Sequence, residues 1–163
     1  MKIALDPYMH RHLDLPGICR LTKELGYDHI ELSPRADFLE WWSMPRVYPE
    51  RIAAFKKAMK DHGVGLATLQ PMYRWASPLE DERQIAMSYW KKAIEVAVEM
   101  GCDTMISEFG RGGSPERTVG NPINNKESCE AAWWRSMDEL VPILEREGIV
   151  LSVEPHPEDW VET

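Results

Sequence analysis

Along this chain, short apolar runs alternate with longer amphipathic stretches, and a glycine stands at each passage from the second to the first. Four segments show it: KELGYDHIEL (Lys23 to Leu32), KDHGVGLATL (Lys60 to Leu69), VEMGCDTMIS (Val98 to Ser107) and EREGIVLSVE (Glu145 to Glu154). A glycine just past a helix takes up the left-handed conformation that ends it. The run that follows is too short for a helix and rich in Ile, Val and Leu, as a strand covered on both faces should be. With KIAL at Lys2 to Leu5 as a further run, the pattern predicts strands at 2–6, 29–33, 65–70, 103–108 and 149–154.

The stretches between them carry a helical period. LPGICRLTKEL (Leu15 to Leu25) places Ile18, Leu21, Thr22 and Leu25 on one face. The stretch after Pro49, a residue tolerated in a first helical turn, repeats apolar groups at Ile52, Phe55 and Met59. Asp81 to Met100 does so at Ile85, Tyr89, Ile94 and Val98, and Ser128 to Glu147 at Ala132, Met137, Leu140 and Leu144. Strand and helix in strict alternation imply a parallel sheet with helical crossovers.

The glycines Gly26, Gly63 and Gly101 lie 37 and 38 residues apart, and 47 separate Gly101 from Gly148, the excess being the loop FGRGGSPERTVGNPINN. Eight such units would make about 300 residues, inside the range of a closed (β/α)₈ TIM barrel. No Gly-rich phosphate loop follows the first strand and no G-x-G-x-x-G occurs; Gly110, Gly112 and Gly113 have the wrong spacing. The pattern stops at Thr163, nine residues beyond the fifth strand. Residues 1–163 are therefore expected to form a single domain, the N-terminal part of a TIM barrel with about its first five βα units. A complete five-stranded open sheet of flavodoxin type is the alternative.

Composition narrows the partners. Of 163 residues, 44% are hydrophobic and 28% charged, values of a chain able to build a core. A formal net charge of −8 repels phosphate backbones and argues against nucleic acid. No apolar run approaches the roughly 20 residues of a membrane helix, and the N-terminus lacks a signal-peptide core, so a cytoplasmic location without membrane contact is expected. Cys19, Cys102 and Cys129 form no CxxC pair and read as buried thiols. Seven tryptophans suit either a core edge or a sugar-stacking wall.

In parallel βα folds the carboxyl ends of the strands converge on one face. Polar residues stand at all five predicted ends: Asp6, Tyr8, His10 and His12; Glu31, Ser33 and Arg35; Gln70, Tyr73, Arg74 and Trp75; Glu108; and Glu154 with His156. Glu154 closes the apolar run IVLSV, where a carboxylate is costly without a partner, and a divalent cation is a fitting one. A salt-bridged surface glutamate is the competing reading. His156, fixed between two prolines, suits a ligand, a proton-transfer group or a rigid loop. Glu108 could orient a substrate hydroxyl or act as a base, or pair with Arg111 or Arg74. His10 suits a hydrogen bond to a substrate hydroxyl, since His10 and His12 lack the further ligands of a zinc motif. Glu31 holds its loop or joins the chemistry. Tyr73 and Trp75, in MYRW, would stack a sugar ring or pack in the core.

The segments HIELSPR, SEFG and LSVEPHP, with HRHLDLPGICRLTKELGY, resemble the sugar phosphate isomerase/epimerase group of xylose isomerase-like TIM barrels. The resemblance implies a divalent metal, Mn²⁺ or Mg²⁺, held by Glu, Asp, His and Glu from the fifth to eighth strands. Of these only the first, matching Glu154, falls within this chain. The run from His10 to Arg35 is also similar to the α-subunits of C-glycoside deglycosylases, which work with a small β-subunit on 3-keto sugars.

The implied activity is isomerisation or epimerisation of a keto sugar through an enediolate, or C-glycoside cleavage by a lyase of the same family. The metal would polarise the carbonyl, while Glu154 or His156 moves the proton. Small sugars or glycosides are the implied substrates, and a homo-oligomer or a small β-subunit the implied partner. Two rivals stand beside it. An endonuclease of the related DNA-repair barrels would need a basic groove and a multi-histidine zinc cluster, and the sequence shows neither. A non-catalytic fragment or binding subunit would need a partner chain, and the 163 residues alone are expected to be inactive.

Overall fold

The computed structural model describes residues 2–109 and 125–155. Its elements run β1 (Ala4–Leu5), a 3₁₀ turn (Pro7–His10), α1 (Leu15–Glu24), β2 (His29–Leu32), α2 (Pro49–His62), β3 (Gly65–Leu69), α3 (Glu80–Met100), β4 (Thr104–Glu108), α4 (Lys126–Glu147) and β5 (Val150–Glu154). All five predicted strands are present. The first is shorter than the predicted 2–6, because Asp6 leaves the sheet and accepts from the Tyr8 amide at 3.0 Å to start the 3₁₀ turn.

Local chemistry sets the helix ends. Asp14 caps α1 by accepting from Gly17 N at 2.8 Å, and Asn125 and Ser128 form a reciprocal capping box on α4. Gly63 and Gly101 end α2 and α3 at φ 65° and 70°, a left-handed backbone that a β-carbon would strain. These are the repeat glycines.

All pairings are parallel, and the order is β1-β2-β3-β4-β5. Each strand lies beside its successor, so the winding never reverses. A flavodoxin-type sheet requires such a reversal. The sheet is an arc of a (β/α)₈ barrel, and the open-sheet alternative is set aside.

One face of the arc is packed against the helices. Ile30, Leu32, Leu69 and Met105 from the strands meet Ile18, Phe55, Trp90, Ile94 and Leu140 from α1 to α4, all buried. Strand side chains alternate between faces. The opposite, inner face therefore carries Glu31, Thr68, Gln70, Ile106, Glu108, Ser152 and Glu154. Leu151 and Val153 of β5 lean on the core, whereas Val150 is 62% exposed and Ser152 and Glu154 are exposed too.

Several tryptophans close the gap between the sheet, α3 and α4. Trp75 stacks on Trp90 with centroids 4.2 Å apart and planes at 11°, and Trp133 stands edge-on to Trp75. Cys19, Cys102 and Cys129 are all buried. Among the described residues no helix is long and apolar enough to cross a membrane.

Candidate active site

The strand tips form a polar lip on the inner face. Glu108 and Glu154 are register partners across the β4–β5 pair. Parallel neighbours at one level point the same way, so the two carboxylates stand side by side on strands about 4.8 Å apart. Gln70, at the tip of β3, brings Nε2 to 3.5 Å from Glu154 Oε2. One step further round, Thr68 Oγ1 donates to Glu31 Oε2 at 2.9 Å, and Ser33 Oγ donates to Asp6 Oδ1 at 2.7 Å. Thr68 escaped the sequence reading, although it lies two residues before Gln70 and the strand period puts both on one face.

Glu108 is 9% exposed, while Glu154, on the outermost of the described strands, is open to solvent. Two carboxylates at one level repel each other unless a positive group stands near. Oxygen donors in that arrangement suit a hard divalent cation in kind. In number they do not complete its shell: among the described residues, no three His, Cys, Asp or Glu side chains gather to hold a metal.

The other residues singled out by sequence divide. His10 ends the 3₁₀ turn beyond β1, half-buried, its ring 6.0 Å from that of His12. Arg74, a candidate partner for Glu108, has its ion pair with Glu82 at 3.9 Å and lies 5.8 Å from the Trp42 ring centroid. Arg111, the other candidate, and His156 lie outside the described residues.

Tyr73 and Trp75 do not form a sugar platform. Trp75 is 0% exposed, one ring face covered by Trp90, and its Nε1 donates to the backbone carbonyls of Glu108 at 3.2 Å and Phe109 at 2.5 Å. Tyr73 is 3% exposed and edge-on to Tyr89 and Trp90, at the wall of a recess of about 230 Å³ that Trp42, Arg74 and Glu82 also line. Burial pushes its phenol well above the ordinary tyrosine range and keeps it neutral. The physical reason is the same for both: two large rings lower the free energy more against α3 than in water.

Their role is to hold the lip. Besides the Trp75 bonds, Ser107 Oγ donates to Pro71 O and Ser136 Oγ to Trp75 O, each at 2.7 Å and buried. These tie the loop after β3 to the tip of β4 and to α4. On the other side, buried Arg35 grips Asp37 and donates from Nη2 to Leu13 O at 2.7 Å, joining the loops after β1 and β2.

Parallel strands in sequence order, helices on the outer face and carboxylates at the inner tips define the first part of an α/β barrel with polar groups at its mouth. Residues 19–163 match the family model described as xylose isomerase-like TIM barrel, and the chain belongs to that family. No curated protein matches it. Solved structures share the fold at low identity. D-psicose 3-epimerase, determined in the presence of D-fructose, superposes with a TM-score of 0.75 at 15% identity, over 95% of this chain and 52% of its own. A 3-keto-D-glucoside 4-epimerase from E. coli gives 0.72 at 19%, over 98% and 57%. A xylose isomerase-like TIM barrel protein from Mycobacterium smegmatis in complex with magnesium gives 0.70 at 17%, over 99% and 57%. The chain thus spans about half the length of these structures.

Proposed function

We propose that this chain forms the first part of a sugar isomerase or epimerase that interconverts keto sugars through an enediolate. The observation that carries the proposal is the alignment of Glu108 and Glu154 on one face at the tips of β4 and β5. The family, and the epimerases among its structural neighbours, support the reaction class.

In this reading the Glu154 carboxylate takes the proton from the carbon next to the sugar carbonyl, and the bonding electrons move onto the carbonyl oxygen as the enediolate forms. Returning the proton on the opposite face gives the epimer, and His156 is the residue we assign as a proton carrier. Glu108 accepts from a substrate hydroxyl and sets which carbon faces Glu154, while His10 bonds a second hydroxyl from the β1 side. A lyase that expels a C-linked group from the same enediolate would use the same first step.

Glu154 is also the residue we assign to a divalent ion, Mn²⁺ or Mg²⁺, with the remaining ligands not among the described residues. When bound, the ion supplies polarisation of the substrate carbonyl and stabilises the developing oxyanion. The magnesium complex of the mycobacterial neighbour supports the choice of a hard cation.

Glu154→Gln in the full-length protein is the test. It should remove proton exchange between solvent D₂O and the carbon beside the carbonyl of a keto sugar, followed by NMR across D-fructose and 3-keto glucosides, and leave the thermal midpoint in place. A variant that exchanges as fast as the unaltered protein removes Glu154 from the chemistry.

A further inference from the structure

We propose that Gln70 is a positioning residue that aims the Glu154 carboxylate, an inference that rests on the role of Glu154 given above. Its amide nitrogen reaches past β4 to within 3.5 Å of Glu154 Oε2, joining residues 84 positions apart in sequence. The frame behind that side chain is rigid. The Gln70 backbone N–H donates to Leu32 O of β2 at 3.0 Å. The next residue is Pro71, with a fixed φ, and its carbonyl accepts the buried Ser107 hydroxyl of β4 at 2.7 Å. Gln70 therefore leaves the sheet from a backbone tied to both of its neighbouring strands.

Glu154 stands in the opposite situation. It is the last residue of β5 and is exposed, so its side chain alone has several rotamers open to it. A donor on a fixed frame selects among them. An amide does this without bringing a full positive charge that would compete with a cation for the carboxylate. The separation of 3.5 Å sits at the long end of hydrogen bonding. Groups that orient a metal ligand in this way change metal affinity or turnover by about 10- to 100-fold when removed.

The test titrates Mn²⁺ alone into the full-length protein by calorimetry, with the Mn²⁺ paramagnetic resonance spectrum as a second readout. Gln70→Leu and Gln70→Ala should each weaken Mn²⁺ by about 10- to 100-fold and alter the spectrum, with the thermal midpoint unchanged. Gln70→His, which restores an N–H donor at similar reach, should recover most of the affinity. Leucine and alanine variants that bind Mn²⁺ as the unaltered protein does, while Glu154→Gln weakens it, overturn the role of Gln70 and leave that of Glu154 standing. An unaltered protein that binds no Mn²⁺, or binds it equally well as Glu154→Gln, overturns the metal role of Glu154 and the inference about Gln70 with it.

Discussion

Trp75 reaches out of the loop after β3 and donates its indole N–H to the backbone carbonyl of Glu108, so that the position of the β4 carboxylate is set from inside the hydrophobic core. The same nitrogen serves Phe109 O, and the ring lies flat on Trp90. Core packing and lip geometry are thus joined in one side chain.

Trp75→Phe tests this joint. The substitution keeps an aromatic ring but loses part of the stacked area and removes the indole donor from the Glu108 and Phe109 carbonyls. A loss of about 2 to 3 kcal/mol in urea unfolding is expected, from lost packing and an unmade hydrogen bond together. A loss below about 0.5 kcal/mol would show that the ring is dispensable there and that the β4 tip is held by other means.

Much of this was legible in the sequence, for reasons that also explain what was not. A short run rich in Ile, Val and Leu reads as a strand covered on both faces, whereas Ser152 and Glu154 on the inner face of β5 are exposed; the run still marks where a strand lies, and a repeat glycine marks where each helix stops. Both signals are local, so all five strands and four helices fall within a few residues of their predicted places. The alignment of Glu108 with Glu154 follows from those strand ends once the strands are parallel neighbours. Trp75 shows where the reasoning runs out. It sits in an irregular loop with no period to say which way a ring turns, and a tryptophan that stacks a sugar is the same residue type as one that stacks Trp90. Arg35 is alike: its sequence position beside the second strand says polar mouth, and the structure uses it as a staple between Asp37 and Leu13.

The glycine that ends α3 offers a test of backbone physics alone. Gly101 has φ 70°, and a β-carbon built there meets nothing within 4 Å. Any cost of Gly101→Ala is therefore conformational, and about 1 kcal/mol is expected in chemical denaturation. Gly101→Asn should recover part of the loss, since asparagine enters the left-handed region more readily. Equal stability of the alanine variant and the unaltered protein would contradict the observed φ.

The thiols should be silent in the native state. Cys19 and Cys129 are 0% exposed and Cys102 3%. Burial pushes the Cys19 thiol up to about 11 from 9.0, and raises that of Cys102 as well. At pH 8 a disulfide reagent should find no rapidly reacting thiol, and all three should react in denaturant. For Cys19 the folded state holds its proton more tightly than the unfolded one, so its effect on stability is constant below pH 9 and turns destabilising as pH rises from about 9 towards 11. A thiol titrating within seconds at pH 8 would place that cysteine at the surface.

Acid stability should depend on Glu80. Its carboxylate accepts from the Arg83 guanidinium at 2.6 Å and from Gln84 at 2.9 Å, and these bonds hold its pKa down to about 2 from 4.5, with Arg135 adding to the attraction. Arg83 is itself buried and also bonds Glu139 and Ser136 of α4, so the cluster links the start of α3 to the middle of the next helix. A depressed carboxylate pKa contributes stability that is fully present above the unfolded value and disappears as pH falls through the folded one. For Glu80 that window runs from about 4.5 down to 2. Glu80→Gln should therefore melt below the unaltered protein at pH 7, and the gap between the two midpoints should close steadily across that window. A gap that stays constant from pH 7 to pH 2 would show that the charge of Glu80 adds nothing to the α3–α4 contact.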